Sequence, residues 1–225
     1  RTLRKAGVNR LSVGVQSFHD HELRLLGRIH TAAEAEECIR MAKNAGFSNI
    51  SLDLMFGLPG QSAADVEESV RRAVSLAPTH LSCYSLILEE GTPLYRSVQE
   101  GKYALPEEDT EREMYHHLVR LLAENGYHRY EISNFALRGK ESRHNNKYWE
   151  RKPYIGLGAA AHSQIDDLRY GNPSSLAEYE KVTFLHPPAG RAAERLTSAD
   201  EMAEFMFLGL RKCAGILKSD FGKVF

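Results

Sequence analysis

Three side chains in the first quarter of the chain have the types and spacing to grip a small polar ligand: Gln16, Arg28 and Asp53. An amide offers donors and an acceptor, and an ionised carboxylate offers acceptors only. Gln16 and Asp53 together therefore suit the two hydroxyls of a ribose. The guanidinium of Arg28 suits a carboxylate, which it can clamp through two parallel hydrogen bonds. A plainer reading makes Arg28 a surface helix residue paired with a nearby glutamate, a contact of little energetic weight. Asp53 has fewer plain readings. It sits inside the apolar run Ile50-Ser-Leu-Asp-Leu-Met-Phe56, and a carboxylate buried without a partner is costly, so a partner or a ligand is expected.

His144 opens a second candidate site. It lies in the polar and aromatic run Ser142-Arg-His-Asn-Asn-Lys-Tyr-Trp149, expected to be a loop. An imidazole there can ligate a metal, although with ten histidines in the chain a surface or hydrogen-bonding role is the ordinary one. His162, after a run of glycine and alanine, is a weaker candidate, expected near the mouth of a barrel. Cys38 and Cys83 fall in apolar stripes and read as core thiols. Gly57-Leu-Pro-Gly60 lacks the Lys-Ser/Thr of a phosphate loop and reads as a tight exit turn. Glu107-Glu-Asp109 reads as acidic decoration at a helix start.

The elements that must position these residues follow from periodicity. Residues alternate faces along a strand. Leu52, Leu54 and Phe56 therefore share one side, and Ser51, Asp53 and Met55 the other. Leu11, Val13 and Val15 are likewise opposed to Ser12, Gly14 and Gln16. Thr31-Ala-Ala-Glu34 and Ser62-Ala-Ala-Asp65 read as caps of two helices, the first with an apolar stripe of Cys38, Ile39, Met41, Ala42 and Ala45. A third strand is expected over 80–88. Strands alternating with helices predict a parallel sheet with right-handed crossovers, and in β/α barrels active sites gather at the strand C-termini, where Gln16 and Asp53 would sit. Beyond residue 93 the pattern changes. A long helix over 107–125, a short strand over 130–135, a short helix over 174–182, a linker over 184–195 and a final helix capped by Ser198-Ala-Asp-Glu201 are expected.

Composition narrows the function classes. The 225 residues are 42% hydrophobic and 26% charged, with a formal net charge of −1. That balance argues against nucleic-acid binding by bulk charge. No apolar run approaches the roughly 20 residues needed to span a bilayer. Three scattered cysteines argue against a disulfide framework and for a cytoplasmic setting. The opening residues 1–8 read as the end of a helix and residues 219–225 as an unfinished element, so the chain is expected to be a fragment.

The runs Leu11-Ser-Val-Gly-Val-Gln-Ser-Phe18, Leu25-Leu-Gly-Arg-Ile-His30 and Asp53-Leu-Met-Phe-Gly-Leu-Pro-Gly-Gln61 resemble radical SAM proteins related to oxygen-independent coproporphyrinogen III oxidase. Tyr84-Ser-Leu-Ile-Leu-Glu-Glu-Gly-Thr-Pro-Leu-Tyr95, Tyr130-Glu-Ile-Ser-Asn-Phe-Ala136 and His144-Asn-Asn-Lys-Tyr-Trp149 sharpen the resemblance to the HemW-type haem chaperone branch. The resemblance implies that Gln16 and Asp53 lie beside the ribose of S-adenosylmethionine and Arg28 beside its methionine carboxylate. It associates His144 with haem, whose iron takes imidazole as an axial ligand. The family's CxxxCxxC motif does not occur in these residues. The resemblance therefore implies that the chain starts just before the fourth barrel strand and holds no [4Fe–4S] cluster of its own.

The expected architecture is α/β. Residues 1–100 form the C-terminal half of a radical SAM β/α barrel, 101–183 an α+β extension, and 184–225 a linker with the start of a small helical C-terminal domain. The implied function is S-adenosylmethionine and [4Fe–4S] binding in the full-length protein, with haem bound and delivered to client proteins. A coproporphyrinogen oxidase, acting on propionates through a 5′-deoxyadenosyl radical, is the alternative. An unrelated β/α-barrel enzyme using Asp53 for acid–base work is a third reading, and it leaves Gln16 and Arg28 without a role.

Overall fold

The computed structural model describes residues 2–181 and 193–225. The chain divides into two compact units, Arg1–Glu141 and Ser142–Phe225. The first opens with a helical turn, α1 (Thr2–Lys5), that ends at Gly7. It continues through β1 (Leu11–Gln16), α2 (Asp20–Leu25), α3 (Ala32–Asn44), β2 (Ile50–Phe56), α4 (Ala63–Ser75) and β3 (His80–Ser85). The three strands run parallel in the order β1-β2-β3, the expected βαβαβ arrangement. The two capping boxes form as the sequence predicts. Thr31 and Ser62 each accept from the backbone N–H three residues on, while Glu34 and Asp65 reach back.

The split faces decide where everything else goes. Val15, Leu52, Leu54, Phe56 and Leu81 are buried on one side of the sheet. They belong to a single core cluster with Ile39, Val66, Val70 and Ala73 of the crossover helices. A long helix, α6 (Glu108–Glu124), follows the short α5 (Pro93–Gln99) and adds Met114, Leu118 and Leu122 to the same core. Each such side chain contributes about 1.5–3 kcal/mol when fully buried. No helix among the described residues is long and apolar enough to cross a membrane.

The strand expected over 130–135 is instead a hairpin, β4 (His128–Arg129) and β5 (Asn134–Ala136), with β5 antiparallel to β3. Residues 130–133 turn because the backbone is bonded from within. Glu131 accepts from the Ser133 N–H at 3.1 Å and from the Asn134 amide, and the Tyr130 N–H donates to the Asn134 carbonyl at 3.2 Å.

The second unit contains α7 (Arg143–Trp149), β6 (His162–Ile165), β7 (Leu168–Gly171), α8 (Leu176–Tyr179), β8 (Ala193–Arg195), α9 (Ser198–Gly209) and α10 (Lys218–Val224). Strands β6, β7 and β8 make an antiparallel sheet. Here several expectations are corrected. The run 142–149 is a helix rather than a loop, because the Ser142 hydroxyl caps it by accepting from the Asn145 N–H. The last residues of the expected linker, 193–195, pair with β7 as a strand, while residues 184–192 lie outside the described residues. The box that caps α9 is Thr197 with Asp200, one residue earlier than expected, and α9 is followed by α10. The rings of Phe205, Phe221 and Phe225 join those two helices.

One cysteine assignment also changes. Cys83 is buried in β3 and its thiol is pushed up to about 12, by burial and then by the Asp53 charge. Cys38 is exposed, as is Met41. The buried stripe of α3 is Ala32, Ala35 and Ile39, and positions 38 and 41 flank that i, i+3, i+7 line rather than lie on it. Only a thiolate attacks a disulfide reagent. Ellman's reagent added to the native protein is therefore expected to titrate Cys38 and Cys213 and to reach Cys83 only after denaturation. Three thiols reacting at once would contradict this packing.

Candidate functional site

The polar face of the sheet carries a continuous set of small and hydrogen-bonding residues. Gly14 of β1, Asp53 of β2, Ser82 of β3 and Asn134 of β5 are register partners across four strands. In the next row Ser12, Ser51, His80 and Ala136 are matched in the same way. Residues in register on neighbouring strands share a face, so this side presents serines, an aspartate and a histidine where the other presents leucines.

Within the face, polar groups satisfy one another. His80 is buried between the Ser51 hydroxyl, 2.8 Å from Nδ1, and the Tyr130 hydroxyl, 2.8 Å from Nε2. Burial, and then the Arg10 charge, hold the His80 imidazole down to about 3, with Glu141 opposing the shift. Burial likewise pulls the Arg10 guanidinium below its ordinary value, while Tyr130 and Asp53 oppose the shift. Burial also raises the Tyr84 phenol.

Asp53 is half-buried and accepts from the Ser12 hydroxyl at 3.2 and 3.3 Å. The partner that the burial of Asp53 demands is the Ser12 hydroxyl, one strand away and not marked as a site residue by the sequence. These long contacts to one hydroxyl leave acceptor capacity on both carboxylate oxygens.

Gln16 closes β1 in a strained conformation. Its φ is 68°, and the register slips between Gly14 and Gln16 so that Gln16 aligns with Leu54. A bulge of this kind re-aims the side chain that follows it. The amide folds back over Gly14, where a Cβ would lie 2.7 Å from Nε2, so glycine at 14 is what admits this rotamer. Just beyond, Ser17, Glu22 and Gln61 form a buried cluster. The Ser17 hydroxyl and the Gln61 amide both donate to Glu22 Oε2, and the Leu58 N–H donates to Gln61 Oε1. This ties the exit of β1 to the Gly57–Gly60 turn after β2. No apolar period or motif marked Glu22 in the sequence; its carboxylate is held by Ser17 nearby and by Gln61, distant in the chain.

Arg28 lies in the loop after α2, exposed, and its guanidinium forms no ion pair with any described residue. The plain reading of a helix residue paired with glutamate is thus not what the fold contains. The loop itself is anchored. His30 Nε2 is 3.2 Å from the Val15 carbonyl, and Asp20 accepts from the Ala32 N–H at 2.9 Å. Arg28 is therefore carried to the same end of the sheet as Gln16. Asp53 and Gln16 offer hydrogen-bonding groups suited to a vicinal diol, and Arg28 a guanidinium suited to a carboxylate.

His162 is in β6 of the second unit, its ring filling the space left by Gly171. His144 is exposed on α7 of the same unit. The Tyr148 hydroxyl hydrogen-bonds His144 Nε2 at 3.1 Å, and the two rings meet edge to face. These residues line a groove of about 570 Å³ with Lys147, Tyr154, Ile155 and Ile165, within the usual range for a small-molecule site. Among the described residues, no three His, Cys, Asp or Glu side chains gather to hold a metal ion.

The Radical SAM superfamily profile matches residues 1–73. The protein named heme chaperone HemW of Bacillus subtilis is 43% identical over 223 residues, covering 99% of this chain and 59% of its own length. The match to the radical SAM superfamily lies on the residues that form the parallel strands β1 and β2. A zebrafish protein named radical S-adenosyl methionine domain-containing protein 1, mitochondrial, is 40% identical over 94% of this chain and 49% of its own. The solved structure described as coproporphyrinogen III oxidase (HemN) from Escherichia coli, a radical SAM enzyme, covers 99% of this chain and 54% of its own. Its TM-score is 0.75 at 22% identity, so it establishes the radical SAM fold. The chain spans about half the length of these relatives.

The His80 environment generates a pH test. In the unfolded chain His80 takes up a proton near its ordinary 6.5, whereas in the fold it does so near 3. Because the unfolded state binds the proton first, stability is full above about pH 6.5 and falls as pH drops toward 3, with a limiting slope of about 1.4 kcal/mol per pH unit. Urea midpoints should therefore decline between pH 7 and 5 in the wild type and much less in His80→Asn. Parallel declines in the two proteins would reject the assignment.

Proposed function

We propose that the first unit supplies part of an S-adenosylmethionine site and that the second binds haem, in a full-length protein of the HemW type. That protein would bind S-adenosylmethionine with a [4Fe–4S] cluster and deliver haem to client proteins in the cytoplasm. Residues 1–100 would serve as the C-terminal half of the barrel, 101–183 as its extension and 184–225 as linker and accessory domain. The observation that carries this reading is the 43% identity to a protein named heme chaperone HemW along 99% of the chain. The HNNKYW run, inside that similarity, lines a groove in the fold.

The residues fit the proposed cofactor on their own chemistry. Asp53 keeps free acceptor capacity for ribose hydroxyls, Gln16 is aimed by a bulge, and the Arg28 guanidinium is available for a carboxylate. Bound S-adenosylmethionine with a cluster supplies radical chemistry; the side chains of this unit bind and orient. The haem groove also fits its proposed ligand. It offers an imidazole for iron, Ile155 and Ile165 for the macrocycle, and Lys147 for a propionate. Relative to the oxidase reading, it is the HemW-type similarity that extends to residue-level identity, since the oxidase structure shares 22%.

Two measurements on the reconstituted full-length protein test the two halves separately. Asp53→Ala is expected to weaken S-adenosylmethionine binding by about 1–3 kcal/mol, the loss for removing a charged hydrogen-bonding group. Unchanged calorimetric affinity would remove Asp53 from the site. His144→Ala is expected to shift or abolish the Soret band of added haemin while the melting transition stays nearly in place, since the exposed imidazole contributes little to the core. A variant spectrum identical to wild type at matched occupancy would assign His144 a purely structural role. Conversion of coproporphyrinogen by the same preparation would favour the oxidase.

A further inference from the structure

The histidine proposed to meet iron already has a partner at the nitrogen that iron would use. His144 and Tyr148 are four residues apart on α7, one helical turn, where side chains are neighbours. The phenol sits 3.1 Å from Nε2, and the ring centroids are 5.0 Å apart at 88°. The tyrosine is in turn held from its other side. Its ring meets Tyr154 edge-on with centroids 4.8 Å apart, and Tyr154 is fixed by two 2.9 Å backbone hydrogen bonds with Gln164. The arrangement runs from a strand, through Tyr154 and Tyr148, to the imidazole.

We propose that Tyr148 is an internal latch on His144, occupying Nε2 until haem seated in the adjoining groove displaces it. The inference rests on the haem reading of His144. In the exchange the phenol hydrogen bond to Nε2 breaks and the phenol turns to water. The Nε2 lone pair then forms the bond to iron, and the iron releases a solvent ligand. Nδ1 keeps the ring proton, and no electron moves. The latch has two consequences. It orients an exposed imidazole toward a groove walled by Ile155, which is itself 65% exposed. It also lowers net affinity, because each binding event gives up a hydrogen bond, and it offers the imidazole a partner when haem departs.

The test is a haemin titration of the full-length protein, wild type against Tyr148→Phe, which keeps the ring contacts and removes only the hydroxyl. The expected result is an affinity about two- to tenfold tighter, the range that one net hydrogen bond supports, with faster association and a Soret maximum still dependent on His144. In a His144→Ala background, Tyr148→Phe should have no effect on affinity, so that the tightening seen in the single variant is traced to His144; a merely structural tyrosine would give no tightening in either background. Equal or weaker affinity of Tyr148→Phe, with a Soret band that His144→Ala still shifts, would overturn the latch and leave the haem reading standing. Weakening would mark the phenol as a haem contact instead. A Soret band untouched by His144→Ala would remove both.

Discussion

The constraint on which the first unit depends is that a parallel sheet reserves one face for its crossover helices. Parallel strands need long connections, and here helices supply them. Once Leu52, Leu54, Phe56 and Leu81 are committed to α3, α4 and α6, the other face carries whatever chemistry the unit has. That face must also satisfy its own polar groups. Ser51, His80 and Tyr130 do so as a chain of hydrogen bonds, and Ser12 does so for Asp53. The buried His80 is pinned at both nitrogens and stays neutral; Asp53, only half-buried, is left with unused acceptor positions. The difference between a structural and a ligand-ready polar residue on one face is therefore a matter of depth and of how many partners each has.

The edge of the same face is where regularity is given up. A bulge, a left-handed glutamine and a glycine with no room for a Cβ coincide within residues 14–16. A non-glycine residue held in that region of φ and ψ is costly and needs its surroundings to impose it. The His30 contact to Val15 and the Ser17–Glu22–Gln61 cluster supply that on either side of Gln16, linking β1's exit to the turn after β2 and to the Arg28 loop. Packing around the exit of β1 is thus what aims Gln16 and carries Arg28 to the sheet end.

How much of this was legible in the sequence varied with the range of the interaction that decides each feature. Strand faces and the capping boxes at Thr31 and Ser62 are local, and both were read correctly from spacing. Cys38 was misread because apolar neighbours widened the stripe of α3 beyond the part that the sheet covers. The helix at 143–149 was missed since asparagines and aromatics make a weak helical signal, and the deciding contribution is one serine cap. Ser12, Glu22 and Tyr130 escaped notice for another reason. Each has a partner 39 to 50 residues away, as in Gln61 with Glu22 or Tyr130 with His80, and no local pattern encodes such a pairing.

His80 and His144 show opposite placements of one side chain. His80 has a hydroxyl at each nitrogen, lies fully inside, and cannot exchange partners without opening the sheet. His144 stands on the surface of a seven-residue helix with one hydroxyl at Nε2. A cargo that must be passed on is poorly served by a ligand of the first kind, because deep burial makes both loading and release depend on unfolding a core. An exposed imidazole with a weak internal substitute can change partners at the cost of a single hydrogen bond. In the proposed haem reading, the placement of His144 on a short, capped surface helix rather than on the sheet favours hand-over over permanent retention.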